Sequence, residues 1–221
     1  MLGADPFSLI ILLVGLSLLP FVAMITTSYL KIVVVMSLIR NAMGIQSIPP
    51  NMVLNGMALI ISLYIMAPTV ERTWTNMETA FAENAKAEEK RPNTAIIFES
   101  AEPFKAFLKH HASARHITFF VRSAENLWQT NPDEPVVVDE NSFFILIPAF
   151  AVSELTRAFQ IGFLIYLPFI AIDIIVSNIL LAMGMMMVSP MTISLPFKLL
   201  LFVLVDGWTK LIQGLILSYT L

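Results

Sequence analysis

Five ionisable residues lie within otherwise apolar stretches of this chain and are its first candidates for chemistry: Glu154, Arg157, Asp173, Asp206 and Lys210. A charged side chain inside hydrocarbon costs about 3 kcal/mol or more unless it faces water or an opposite charge. Glu154 and Arg157 are three residues apart and can pair on one helix face. The five residues therefore indicate either structural ion pairs and side chains that reach the membrane surface, or a polar path through a membrane.

Asp173 and Asp206 leave three hypotheses open. Either aspartate can pair with Lys198 or Lys210, within one chain or between neighbouring chains. As ion-binding groups they would make the chain a proton- or ion-coupled transporter subunit, in which neutralising either one stops coupling while assembly survives. As a dyad they would make it an aspartate intramembrane protease, in which the same changes stop substrate cleavage.

Three consecutive methionines, Met185, Met186 and Met187, follow a glycine at a point where an apolar helix is expected to end. Non-helical backbone at membrane depth is tolerated only where it is buried in protein or lines a cavity. Flexible thioether side chains on such a loop can form a deformable apolar seal, or they can fill irregular gaps in a helical core. The residues alone leave both interpretations open.

Known catalytic and binding motifs are missing from the sequence. It has no glycine-rich phosphate loop, no HExxH, no GxSxG and no cysteine. His110, His111 and His116 all fall in a polar segment, where ordinary surface histidines are favoured over a metal site. Because no histidine lies in a predicted membrane span, a serine–histidine intramembrane protease is disfavoured. The basic residues are scattered singly, which argues against nucleic-acid binding. We expect a non-enzymatic protein without metal or cofactor.

The composition indicates a membrane protein. Hydrophobic residues make up 57% of the 221 residues and charged residues 13%, against about 25% charged in soluble domains. Of the 29 charged residues, 20 lie between positions 71 and 140. Lipid or a large helical assembly must cover the remainder, so the predicted fold is all-α with several membrane spans.

The apolar stretches predict two helical hairpins, at 1–70 and 141–221, on either side of a polar helical domain at 71–140. The expected spans of the first hairpin are 6–30, extended as far as residue 39, and 51–70. In the second, a helix is expected to end near Gly184, followed by an irregular loop to Pro196 and a span at 198–217. The polar domain should hold short amphipathic helices, with one helix start after Ser100 and a linker at 131–135.

The lysine and arginine positions predict the orientation. Lys31 and Arg40 flank the first short loop and Lys198 the last, so both loops are expected in the cytoplasm, and the polar domain and both termini in the periplasm. No basic residue precedes the first apolar stretch, so we expect a retained span rather than a cleavable signal.

Two longer stretches carry a resemblance to a known family. The first is SLIRNAMG at 37–44 with PPN at 49–51, and the second is SEL at 153–155 with AFQIGF at 158–163, continuing through LLAMGMMM, ISLPFK and LVDGW at 180–187, 193–198 and 204–208. They are similar to the FliP/SctR family of type III secretion export apparatus, whose injectisome members include YscR and SpaP. The resemblance covers about two thirds of the chain, mainly outside the polar domain.

The resemblance implies a subunit of the bacterial inner membrane. Several copies, most simply five, would assemble with SctS-like, SctT-like and SctU-like subunits into a helical export gate through which unfolded secreted proteins pass. The methionines at 185–187 would form a gasket around the closed pore, and much of the apolar surface would be covered by other subunits rather than lipid. The residues expected at subunit contacts or on a polar path are Glu154, Arg157, Asp173, Lys198 and Asp206.

One feature separates the two branches of the family. The flagellar branch tends to carry its basic residue one position before Arg157, where it would not pair with Glu154 in the same way. The run SELTR at 153–157 and the absence of a cleavable signal both favour an injectisome member.

Overall fold

The structure is a computed structural model that describes residues 6–45, 47–87, 91–129 and 137–220. These ranges contain nine helices: α1 (Pro6–Thr26), α2 (Tyr29–Ala42), α3 (Asn51–Lys86), α4 (Asn93–Ser100), α5 (Glu102–His111), α6 (Ala114–Trp128), α7 (Phe143–Ala182), α8 (Pro190–Leu204) and α9 (Gly207–Leu217). They contain no strand, and the prediction of an all-α fold is confirmed over the ranges described.

Two helices, α3 and α7, are long and apolar enough to cross a membrane, at 36 and 40 residues. Two bent pairs, Leu13–Thr26 with Tyr29–Ala42 and Pro190–Leu204 with Gly207–Leu217, raise the number to four if each pair counts as one span. By length and composition, the chain is a multi-span helical membrane protein, as predicted.

The expected first helix, extended from residue 6 to 39, is interrupted between α1 and α2. The hydroxyls of Thr26 and Thr27 donate to the carbonyls of Val22 and Ala23, each at 2.7 Å. Such bonds to the fourth preceding carbonyl bend helices and compete with their continuation.

The expected last span at 198–217 is wrong as a single helix. Helix α8 ends at Leu204, Asp206 has a φ of 53°, and α9 begins at Gly207 with a bend of 59° between the two helices. A residue in the left-handed region cannot continue a right-handed helix. We call this break, Val205 and Asp206, the α8–α9 corner.

Helix α7 ends where the sequence predicts. Gly184 has a φ of 73°, its N–H donates to the Leu181 carbonyl at 3.0 Å, and the N–H of Met185 donates to the Leu180 carbonyl at 2.9 Å. This is a Schellman motif with glycine in the left-handed position. The irregular segment is shorter than expected, however, because α8 starts at Pro190, a residue suited to the first turn of a helix, and contains Pro196. We call residues 183–189 the methionine loop.

The chain forms two compact units. The first comprises Met1–Leu30 and Pro68–Ser153. Its core joins α5 to the start of α7 through Leu108, Ala112, Leu146, Ala149 and Phe150. Aromatic residues of α5 and α6 pack against this core, in agreement with the amphipathic helices expected there: Phe104, Phe107 and Phe120. The predicted helix start after Ser100 is confirmed at Glu102.

The second unit comprises Lys31–Ala67 and Glu154–Leu221. One face of α2 is fully buried in it, through Ile32, Val35, Met36 and Ile39. Helix α7 approaches α2 closely at Gly162, where an added Cβ would lie 2.3 Å from Leu38 Cδ1. Close packing of these two helices fixes the positions of the polar residues that they carry.

The division into 1–70, 71–140 and 141–221 stays a prediction. Helix α3 runs through its first boundary to Lys86, and α7 begins close to the second, at Phe143. The linker expected at 131–135 lies outside the described residues.

Candidate functional site

Glu154 of α7 lies at the centre of a buried polar cluster in the second unit. Lys31 Nζ lies 3.2 Å from Glu154 Oε2, and both side chains are at most 1% exposed. The hydroxyl of Tyr219, which follows the end of α9, donates to the same carboxylate oxygen. Lys31 Nζ also lies 3.5 Å from the centre of the Tyr219 ring, a cation–π geometry. The carboxylate, the ammonium and the aromatic ring therefore contact one another directly inside this buried cluster.

Arg157 approaches the same carboxylate from one turn further along α7. Its Nη1 lies 3.2 Å from Glu154 Oε1, and its side chain is 40% exposed. The three-residue spacing predicted this pair, and the structure contains it. We call Glu154, Lys31, Arg157 and Tyr219 the Glu154 cluster. Burial, followed by the charge of Glu154, raises the pKa of the Tyr219 phenol, so that it remains a neutral donor.

Lys31 and Tyr219 were missed as partners of Glu154 in the sequence. Lys31 was expected to flank the first short loop, whereas the structure buries it in α2. Lys198, which was expected to flank the last loop, is buried as well. The orientation argument therefore loses two of its three basic residues and rests on Arg40. A signal existed for Lys31, which is the sole charge between positions 6 and 39.

A second ion pair joins Asp173 of α7, whose side chain is 38% exposed, to Lys198 of α8, which is buried. Lys198 Nζ donates to Asp173 Oδ2 at 2.6 Å and to the Ala42 carbonyl at 3.2 Å. Ser194, one turn before Lys198 on α8, donates to Asp173 Oδ1 at 2.6 Å. We call Asp173, Ser194 and Lys198 the Asp173 cluster. The pairing of Asp173 with Lys198 was one of the predicted possibilities, whereas Ser194 was not singled out.

Asp206 and Lys210 join neither cluster. In the described part of the chain, neither residue has an ion-pair partner within 4.0 Å, and both are exposed. Both oxygens of Asp173 are occupied by Ser194 and Lys198. Asp206 is not among the partners of Asp173, so the structure contains no hydrogen-bonded aspartate dyad of these two residues.

The methionine loop exposes its three central side chains. Met185, Met186 and Met187 are 44%, 81% and 101% exposed. Short backbone hydrogen bonds shape the loop, including Met186 N–H to the Gly184 carbonyl at 3.0 Å. Within one chain, therefore, these methionines do not fill gaps in a helical core.

A serine–histidine contact occurs in the first unit. His116 Nδ1 of α6 lies 2.7 Å from Ser153 Oγ of α7. That hydroxyl also accepts the N–H of Ser113 at 2.8 Å and donates to the Ala149 carbonyl at 2.6 Å. Because its proton is used on a carbonyl, the serine acts as an anchor between helices rather than as a nucleophile. The contact joins residues 37 positions apart and has no local sequence signal.

Across the described residues, no group of three or more histidine, aspartate or glutamate side chains is placed to hold a metal ion. The polar features of these residues are thus the Glu154 cluster, the Asp173 cluster and two exposed charges, one at the α8–α9 corner and one just after it. The methionine loop adds an exposed apolar segment.

Comparison with known proteins identifies the family. The FliP family matches residues 12–215. The chain is 53% identical over 217 residues to the Yop proteins translocation protein R of Yersinia pestis, with 97% of each chain covered. It is 46% identical over 214 residues to the hypersensitivity response secretion protein HrcR of Ralstonia nicotianae, with 96% of each covered. It is also 46% identical over 219 residues to the virulence protein YscR of Salmonella typhimurium, with 98% of each covered. The chain therefore belongs to the FliP family, on its injectisome (SctR) branch.

Proposed function

We propose that the chain is a core subunit of the export gate of a type III secretion system, through which unfolded proteins cross the bacterial inner membrane. Several copies, most simply five, assemble with SctS-like, SctT-like and SctU-like subunits. The observation that carries the proposal is the methionine loop, whose three apolar side chains are exposed in the single chain. The names of the relatives, which refer to translocation and secretion, support the same function.

The exposed methionines fit a seal formed by several copies. A large apolar side chain gains about 1.5–3 kcal/mol when it is removed from water, so three exposed methionines favour burial against another surface. Methionine is unbranched and polarisable, and can repack around partners of different shape. In a ring of chains, Met185, Met186 and Met187 close the pore at rest and separate when a substrate enters.

The chain supplies the passage rather than the energy. The sequence has no nucleotide-binding motif, so a non-enzymatic role is proposed, with energy supplied by other components. The exposed apolar side chains of α3 and α7 are covered by lipid or by neighbouring subunits: Ile60, Leu63, Phe163 and Leu164 are examples. The polar segment at 71–140 is placed in the periplasm.

The predicted polar residues take different roles in this proposal. Glu154, Arg157, Asp173 and Lys198 hold α2, α7 and α8 in register inside one chain, because all four form ion pairs within the Glu154 and Asp173 clusters. Asp206 remains available for a contact with another subunit. The alternative of an ion-coupled transporter has less support, since Asp173 already has two hydrogen-bond partners in its own chain.

Site-directed crosslinking tests the seal, because the chain has no native cysteine. Met186→Cys is combined with a secreted substrate that carries one cysteine and is stalled during export. The control is Leu127→Cys in α6, since Leu127 is 80% exposed and Met186 is 81% exposed. A crosslink from position 186 and none from position 127 is the expected result. If the assembly forms and stalls normally and position 186 gives no crosslink, the methionine loop does not line the substrate path.

A further inference from the structure

Two charged residues, Asp206 and Lys210, lie at the α8–α9 corner and one turn after it. Asp206 occupies the N-cap position of α9, yet its side chain makes no capping hydrogen bond. Lys210 lies one turn into the same helix, and over the described ranges neither residue forms an ion pair within 4.0 Å. The corner lies inside a candidate membrane span. Charges at that position require water or an opposite charge from outside the chain.

Each of the two charges lines an apolar cavity. Asp206 lies in a cavity of about 390 Å³ whose other lining residues include Met43, Ile48 and Trp208. Lys210 lies in a second cavity, of about 370 Å³, with Ile39, Phe169 and Leu211. The two cavities share Phe202 and Gly207 in their linings. One chain therefore presents an acidic apolar cavity beside a basic apolar cavity.

The residues between the two cavities are closely packed. A Cβ added at Gly207 would lie 2.3 Å from the Phe202 ring, and the Phe202 and Trp208 rings meet edge-on at 5.4 Å. The backbone at Asp206 is left-handed, with a φ of 53°. This conformation is unfavourable for a residue with a side chain and persists where surrounding packing enforces it. The fold thus keeps the carboxylate away from the capping position.

Hydrogen bonds from Arg40 stabilise the side of the acidic cavity that is opposite the α8–α9 corner. Arg40 Nη1 donates to the Pro49 carbonyl at 3.2 Å and to Asn51 Oδ1 at 2.5 Å. These bonds hold Pro49 and Asn51 beside Arg40, and Pro49 lines the cavity together with Met43 and Ile48. The carboxylate of Asp206 is therefore displayed at the edge of an ordered apolar surface.

We propose that Asp206 of one copy pairs with Lys210 of the next copy, in a contact repeated around the oligomer. This inference rests on the proposed assembly of several copies. A ring requires a heterologous contact, in which two different surfaces of the same chain complement each other. The acidic and basic cavities adjoin at Phe202 and Gly207 but carry opposite charges, so each can face the other cavity of a neighbouring copy. Burial of their apolar linings in that contact would strengthen the attraction between the charges.

Disulfide trapping between differently tagged chains tests the pair. Asp206→Cys with one tag is produced together with Lys210→Cys with another, and mild oxidation is expected to give a mixed disulfide dimer. The matched control replaces Lys210→Cys by Thr209→Cys, an exposed neighbour on α9, and should give little mixed dimer. In addition, a chain that carries both cysteines should give a ladder of products beyond the dimer, because the contact repeats around a ring. Products that stop at the dimer, or a 206–206 disulfide as the main product, would indicate a two-fold contact and would overturn the proposal.

Charge exchange covers the case in which the cysteine chains do not assemble. Asp206→Lys and Lys210→Asp should each remove most of the oligomer, and the chain with both changes should recover it. Oligomer mass in detergent is the measurement. Failure of the double exchange to recover more oligomer than either single change contradicts the pair.

Two other outcomes separate this inference from the proposed function. An intact oligomer without a 206–210 disulfide overturns the pair and leaves the export-gate assignment standing. The pair is also overturned, and the export-gate assignment also stands, if Lys210→Asp no longer reduces the amount of oligomer when anionic phospholipid is omitted. The lipid headgroup is then the partner of Lys210. A chain that remains monomeric with all its partner subunits present removes the proposed function itself.

Discussion

Lys31 of α2 and Glu154 of α7 form an ion pair at 3.2 Å from which solvent is almost completely excluded. Taking both charges out of water is costly, so the pair is stable only because further groups complete it. The Tyr219 hydroxyl, the Tyr219 ring and Arg157 supply those groups. Glu154 therefore links α2, α7 and the segment after α9 within the second unit.

Removing the charge of Glu154 should lower the stability of the folded chain far more than removing the charge of Arg157. Glu154→Gln leaves Lys31 buried without a counter-charge, and we expect a loss of about 3 kcal/mol of stability. Arg157→Gln removes a half-exposed partner and should cost less than about 1 kcal/mol. Thermal unfolding of both variants in the same detergent measures the difference. Equal effects would show that Lys31 does not depend on Glu154.

Tyr219→Phe isolates the hydroxyl from the ring. The variant keeps the aromatic face over Lys31 but removes the donor to Glu154, so we expect a loss of about 1–3 kcal/mol. Tyr219→Leu should cost more, because the cation–π contact of about 0.5–2 kcal/mol is lost as well. Denaturation of the three proteins side by side is the measurement. A phenylalanine variant as stable as the parent would remove the hydroxyl from the cluster.

Gly162→Ala tests the close approach of α7 to α2. The new Cβ would lie 2.3 Å from Leu38 Cδ1, and overpacking of this kind costs about 1–3 kcal/mol. Gly56→Ala in α3 is the matched control, since open space surrounds that glycine and alanine there should stabilise the helix by about 1 kcal/mol. Adding Leu38→Ala to Gly162→Ala should restore part of the loss. Absence of any difference between the two glycine variants argues against the tight contact.

Asp173→Asn distinguishes a structural pair from ion coupling. The amide still accepts a hydrogen bond from Ser194, but Lys198 loses its counter-charge, so we expect reduced stability and weak assembly. Ser194→Ala, which removes a neutral donor, should have a smaller effect of about 1 kcal/mol. Unfolding and oligomer mass are measured first, and protein export afterwards. Normal stability and assembly with export abolished would instead favour the ion-coupled transporter.

Local sequence signals predicted the features that depend on neighbouring residues. The three-residue spacing of Glu154 and Arg157 gave their pair, and Gly184 gave the end of α7. Partners distant in sequence were not predictable: Tyr219 lies 65 positions from Glu154, and His116 lies 37 from Ser153. No periodicity carries such information, because it depends on how the helices pack.

The α8–α9 corner was missed although its signal was present. An Asp–Gly dipeptide commonly marks a turn, and Asp206 and Gly207 form one inside a stretch whose high hydropathy suggested a continuous span. Length and hydropathy define how much chain can cross a membrane, but they do not detect a single left-handed residue. Pro196 led to the opposite error, since an irregular loop was expected to extend to this proline, whereas α8 contains it within the helix.

Because of the Schellman turn at Gly184, the stability of the end of α7 does not depend on which side chains the methionine loop carries. The backbone hydrogen bonds from Gly184 and Met185 complete the end of the helix without using any methionine side chain. Side chains at 185–187 can therefore vary in size and flexibility at little cost to the stability of the chain. In the proposed export gate, natural selection can therefore adjust how tightly the loop closes the passage, and with it the balance between membrane leakage and export speed, while the scaffold stays unchanged.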